Sequence, residues 1–258
     1  MPDPSAYAPG QRTHDQEVAM SPTDLDAFLA GAAVDPAVLG LRPDYRALLV
    51  AVDGLTPMAS NDVGEALLQR AEASAAQALA DMPVEELPHV AAWRDAYRAF
   101  GAKPQRTRHS LEALLRRAAG GLPRVNALTD VYNAVSVIHQ VPLGGEDLHE
   151  YAGSPRLQVA AGAEPFDTTA HGEAVVEHPE AGEVVWCDDA GVTCRRWNWR
   201  QATRTRLRDD TTAAIFILDA LAPLSDAQLT AAGDELVDHL AGLGSSVTTR
   251  QRMIGSSD

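Results

Sequence analysis

Apolar positions along this chain follow two rhythms, and the change between them falls near Gly144. Before it, a short helix is expected from Thr23 as cap through Ala30. Residues 45–52 form a buried strand ended by Asp53-Gly54, and Asn61 or Asp62 caps an alanine-rich helix running to about Asp81. A helix over 90–100 stops at Gly101. Ser110 caps another over 111–119 that ends at Gly120-Gly121, and Pro142 terminates the next. After Gly144 come short β-type runs at 157–160, 174–177, 183–187 and 192–197, and residues 183–194 read as a hairpin across Asp188-Asp189-Ala190-Gly191. Residues 213–218 are a buried strand. Ser225 and Gln228 make a capping box for a last helix with Leu229, Leu236, Val237, Leu240 and Leu243 inward, closed by Gly244. The expected class is α+β, a helical first half followed by a β-rich half around one core. Residues 1–21 read as a disordered lead-in, with Met20 as a second candidate start, 22–244 as a single domain, and 245–258 as a polar tail.

Within the helix that Pro142 ends, Leu128, Val131, Val135 and Ile138 form one face, while Asn126, Asp130 and Asn133 fall at i, i+4 and i+7 on another. Asparagine is a poor interior helix former, so two of them flanking an aspartate mark either a polar ligand site or a solvated face. Gly144-Gly145-Glu146-Asp147-Leu148-His149 brings carboxylates and an imidazole together after what reads as a glycine turn, with His149 either a site residue or a solvated one. In Cys194-Arg195-Arg196-Trp197-Asn198-Trp199-Arg200-Gln201, two of the chain's 4 Trp stand among three arginines. That composition suits stacking and gripping an anion, or a strand with Trp inside and Arg outside.

Composition narrows the classes. No run approaches the roughly 20 apolar residues of a membrane span, and the polar start lacks the basic and apolar regions of a secretory signal, so a cytoplasmic protein is expected. Cys187 and Cys194 stand alone without neighbouring ligand pairs, which argues against a disulfide framework or a metal site. The formal net charge is −15, against general attraction to polyanions, yet basic residues cluster at 94–124 and 195–208. Those clusters either hold a phosphate backbone or pair with the abundant acids. There is no nucleophile elbow, Walker loop or dinucleotide fingerprint.

The order and spacing of several segments carry a resemblance. They are Tyr97-Arg98-Ala99-Phe100-Gly101, Ser110-Leu111-Glu112-Ala113-Leu114, Leu122-Pro123-Arg124-Val125-Asn126 with Asp130 and Tyr132-Asn133, Pro142-Leu143-Gly144 with Asp147-Leu148, Gly182-Glu183-Val184-Val185, and Cys194-Arg195 with Trp197-Asn198. Together they resemble the B3/B4 domain of the phenylalanyl-tRNA synthetase β subunit in free-standing form, over about residues 90–222. The resemblance implies a layered B3/B4-like α+β domain and an editing activity in trans, hydrolysis of the ester of mischarged aminoacyl-tRNA. It implies the aminoacylated 3′ end of tRNA as partner, neither DNA nor a membrane, and no cofactor or metal. Carried over by position, Asn133, Glu183 and Asp147 match the family's site, and with Asp130 they are the expected catalytic groups; from the constellations above, Asn126, His149, Arg195, Trp197, Asn198 and Arg200 are the expected substrate-binding groups, His149 at a spacing different from the family histidine. The synthetase segment Gly-Gln-Pro-x-His is replaced here by Pro142-Leu143-Gly144-Gly145-Glu146. Two other readings remain open: a tRNA- or amino-acid-binding module without hydrolysis, and a hydrolase of small esters. The amino acid removed, the tRNA species and the oligomeric state are not readable from the sequence.

Overall fold

The computed structural model describes residues 22–256. In chain order the elements are α1 (Pro22–Ala30), β1 (Ala33–Val34), α2 (Pro36–Leu41), β2 (Arg46–Asp53), α3 (Asp62–Ala78), α4 (Pro88–Ala99), α5 (Ser110–Ala118), α6 (Ala127–Ile138), β3 (Leu143–Asp147), β4 (Arg156–Val159), β5 (Phe166–Ala170), β6 (Glu173–Glu177), β7 (Val184–Cys187), β8 (Val192–Arg195), β9 (Arg200–Gln201), β10 (Ala213–Ala220), α7 (Asp226–Ala241) and β11 (Thr248–Gly255). This is the α+β order expected. The lead-in over 1–21 lies outside the described residues. Among the described residues, no helix is long and apolar enough to cross a membrane.

A four-stranded antiparallel sheet, in the order β11-β2-β10-β3, separates two layers. β2 and β10 are buried along their whole lengths and paired from Ala213 opposite Asp53 to Ala220 opposite Arg46. Strand alternation divides their side chains. Leu48, Val50, Val52, Phe216 and Leu218 face a helical layer that includes Leu67, Leu111, Leu115, Val131, Val135 and Leu236. Ala47, Leu49, Ala51, Ile215 and Ile217 face the other layer, with Leu25, Trp93, Tyr97, Leu157, Trp186 and Trp197. That second layer contains the five-stranded sheet β1-β4-β7-β8-β9, whose β7–β8 hairpin turns at the expected Asp-Asp-Ala-Gly. Strands closed on both faces read as continuous apolar runs, and 45–52 and 213–218 do.

Four expectations change. Within the described part of the expected tail, 245–256, Thr248–Gly255 pairs with the whole of β2 and closes that edge of the sheet. Its polar look is that of a half-exposed edge strand, where charged side chains discourage further pairing. Arg250 meets Asp26, and Arg252 donates to the Leu29 and Ala32 carbonyls, which fastens α1 to the strand. Gly144-Gly145 is not a turn but part of β3. A Cβ on Gly145 would stand 2.6 Å from Cε1 of Phe216, so the glycine lets the edge strand lie against that ring. His109, not Ser110, caps α5, its ring accepting from the Glu112 amide. The strand expected over 192–197 ends at Arg195, because Arg196 and Trp197 turn into the left-handed region with φ of 48° and 66°.

Ending the chain at Gly244 should therefore expose an eight-residue strand edge and lower the thermal unfolding midpoint by about 10 °C or more. An unchanged midpoint would show that β11 adds nothing to the sheet.

Candidate functional site

At the β3 edge of the central sheet the two layers part around a cavity of about 290 Å³. One wall is α5, which presents Ser110, Ala113, Leu114 and Arg117 at i, i+3, i+4 and i+7, together with Tyr132 and Asn133 of α6. The floor is Gly144 and Glu146 of β3 with Ile217 and Asp219 of β10. The opposite wall is Trp186, Cys194, Trp197, Asn198, Trp199 and Gln201. Gly144 pairs with Ile217, and a Cβ there would come within 3.2 Å of the Gln201 amide nitrogen, which itself donates to the Gly145 carbonyl at 2.8 Å. The cavity thus exists partly because position 144 has no side chain.

Its polar groups are unusual for such burial. Glu146 and Asp219 are each 2% exposed. Tyr151 donates to Glu146 at 2.7 Å, and Tyr45 to Asp219 at 2.6 Å, with the Asn198 amide 3.3 Å from the second Asp219 oxygen. Among the described residues neither carboxyl has a cationic partner. Burial, partly offset by the neutral donors around each group and added to by neighbouring carboxylates, pushes both carboxyls up to about 7, so each changes charge near neutrality. The side chain of Asn133, a residue 8% exposed, forms no hydrogen bond with any described residue although it lines the cavity. The Trp186 indole N–H is buried and has no hydrogen-bond acceptor.

The loop carrying Trp197, Asn198 and Trp199 is fixed from behind. Glu183 accepts from Arg195 Nε and Nη2, each at 2.9 Å, and from the Arg196 amide at 3.2 Å. Such a two-pronged charged pair defines geometry as well as energy. The Trp197 amide donates to the Val184 carbonyl at 2.7 Å, and its ring packs edge-on to Trp93 and Tyr45. These contacts hold two consecutive non-glycine residues in the left-handed region, a cost commonly found where a loop must aim its side chains.

The sequence-expected residues separate accordingly. Asn133, Trp197 and Asn198 line the cavity. The stripe of Asn126, Asp130 and Asn133 does not face one ligand. Asn126 lies outside the helix as its N-cap, accepting from the Thr129 amide at 2.9 Å. Asp130 is fully buried between the Ser60 hydroxyl and the Val125 amide, where it ties the start of α6 to the segment before α3. Asp147 accepts from Thr211 and from the His149 amide, and the His149 ring lies 3.4 Å from the Thr212 hydroxyl, away from the cavity. Glu183 and Arg195 act on the loop rather than in the cavity. Arg200 reaches Thr168 and lies over the Phe166 and Trp199 rings.

Glu146 and Asp219 were missed as site residues. Glu146 stood inside a segment read as a turn, while Asp219 was one residue beyond the expected strand. An acid closing an otherwise apolar strand was the available signal. The basic clusters are largely committed to acids: Arg116 and Arg124 pair with Glu85, Glu112, Glu65 and Glu72, and Arg204 and Arg208 with Asp188 and Glu150. Lys103, Arg106 and Arg117 form no ion pair with a described residue, and exposed Arg117 stands at the cavity rim.

The arrangement defines a layered α+β domain that encloses a small-ligand cavity at a sheet edge. The model of the B3/4 domain family matches residues 92–231, more than half of the chain and the whole of the cavity lining, and the chain belongs to that family. An N-terminal fragment of the phenylalanyl-tRNA synthetase β-subunit from Pyrococcus horikoshii is similar in structure, with 13% sequence identity and a TM-score of 0.43 over 86% of this chain. The chain spans 50% of that fragment. No curated protein matches the sequence.

The raised Asp219 carboxyl has a stability consequence of definite sign. Below an ordinary carboxyl pKa of 3.8 both folded and unfolded chains hold the proton and there is no penalty. As pH rises toward about 7 only the unfolded chain releases it, so stability falls, and the loss is complete above that point. Asp219→Asn, which still accepts from Tyr45, should remove this penalty. Relative to the parent chain it should gain about 2–3 kcal/mol more at pH 8 than at pH 5 in urea unfolding. Equal effects at both pH values would place the carboxyl's titration elsewhere.

Proposed function

We propose that this chain hydrolyses the ester of mischarged aminoacyl-tRNA in trans, in the cytoplasm, with the aminoacyl group in the cavity and the nucleotide outside. The observation that carries this reading is a cavity of about 290 Å³, open at one side, that holds the unpartnered Asn133 side chain and two buried carboxyls that titrate near neutrality. That volume is at the lower end of small-ligand pockets, suited to an amino acid and too small for a nucleoside as well. Membership of the B3/4 family supports a tRNA-related role.

Aminoacyl esters are activated, so holding a water against the carbonyl supplies much of the rate. Glu146 is the base we assign: buried, free of cationic partners and near neutrality, it accepts a proton from the attacking water. Asn133 and Asn198 hold the ester carbonyl or the water through their carboxamides. Arg117 at the rim, with Lys103 and Arg106 on the preceding loop, meets the phosphates, so binding weakens with salt. Asp130, Asp147 and Glu183 hold the framework in this scheme.

A panel of mischarged tRNAs incubated with the purified chain tests the reading. At least one should be deacylated, with Glu146→Gln slowing turnover about 100-fold or more and Asn133→Ala about 10-fold. Absence of deacylation for every pair removes the enzymatic reading. Tight binding without turnover would make the chain a binding module.

A further inference from the structure

The cavity floor separates its two acids. In the antiparallel register Glu146 stands opposite Ile215 and Gly144 opposite Ile217, and Asp219 follows two residues later on the same face. The two acids are four strand positions apart, roughly 13 Å between backbones. No hydrogen bond joins them, although the charge of Glu146 helps to raise the Asp219 carboxyl. Asp219 is the inner acid, bordered by Trp186, Trp197 and Asn198, and no described residue gives it a positive charge. The arginines of the adjoining strand and loop are already used: Arg195 and Arg196 by Glu183, and Arg200 by Thr168 and the neighbouring rings. Arg117, at the mouth, has no acid of its own. The site is therefore acidic at its floor and basic at its rim.

A ligand matching that polarity carries a cation inside and an anion outside. The indole rings of Trp186 and Trp197 line the cavity beside Asp219, and the unpartnered Trp186 N–H and Asn133 carboxamide supply donors for a carbonyl next to an ammonium. We propose that Asp219 binds the free α-ammonium group of the ligand, so that the site takes amino-acid derivatives with an unblocked amine and rejects N-acylated ones. The ester assignment rests on the aminoacyl-tRNA reading, whereas the requirement for an amine rests on the cavity alone. With the ammonium at Asp219, the distance to Glu146 leaves room in line for the ester carbonyl and one water. The two acids then have separate tasks. A deacylase built this way spares formylated and peptidyl esters, which lack the cation.

Binding is measured with the full chain by tryptophan fluorescence, using L-amino-acid amides, their N-acetyl derivatives and the corresponding des-amino carboxamides. At least one free-amine amide should bind, with its N-acetyl and des-amino partners at least 10-fold weaker. Asp219→Asn should lose 10-fold or more for the amine while leaving the des-amino compound unchanged, which a merely structural role would not do. Equal binding of blocked and free amines, or no binding by any amide, overturns the proposal. The wild-type comparison decides this even if Asp219→Asn folds poorly. Hydrolysis of N-acetyl-aminoacyl-tRNA as fast as its free-amine form overturns it while leaving the editing function standing. Amine-selective binding without any deacylation does the reverse.

Discussion

Ala213–Ala220 is shut off from solvent on both faces and paired on both edges, and the rest of the molecule is arranged around that strand. Phe216 and Leu218 require a helical layer on one side, and Ile215 and Ile217 require an aromatic layer on the other. Each such side chain contributes about 1.5–3 kcal/mol when buried, so neither layer is optional. Because β3 is the sheet's other edge and carries Gly144 on the cavity side, space is left between the layers there. The cavity is a consequence of how the core ends.

Placing a carboxyl at the end of such a strand has a cost, and the structure limits it with neutral donors rather than a counter-ion. Tyr45 is wholly inside and Tyr151 partly so, and their hydroxyls are raised well above the ordinary range by burial and by the acids they serve. A cation in the same position would have fixed the carboxylates as permanently charged. Hydroxyls leave their charge to be decided by what enters. Glu183 shows the opposite solution: clamped by Arg195, it gives up reactivity and fixes the loop that aims Trp197 and Asn198.

The same contrast governs the arginines. In a chain with a formal net charge of −15, most basic side chains in both clusters find acids within the fold. Those without an ion pair to a described residue include Lys103 and Arg106 before α5, Arg117 at the cavity rim and Arg206 in the second cluster. Local pairing has thus neutralised most of both basic clusters.

By itself the sequence determined the class of fold, the positions of the long helices and buried strands, the β7–β8 hairpin and the capping box at Ser225, because periodicity and capping are local chemistry. It also singled out Asn133, Trp197 and Asn198, although it placed Trp197 at the end of a strand rather than in a loop. Tertiary structure alone decided the rest. Thr248–Gly255 becomes a strand only because β2 offers it an edge, and Gly144-Gly145 becomes a strand only because β10 lies beside it. Asn126, Asp130 and Asn133 have one helical spacing but three fates, since a cap, a buried tie and a cavity wall are distinguished by neighbours distant in sequence. Glu146 and Asp219 are ordinary acids until burial, which no local pattern encodes, removes their water and leaves them facing the same space.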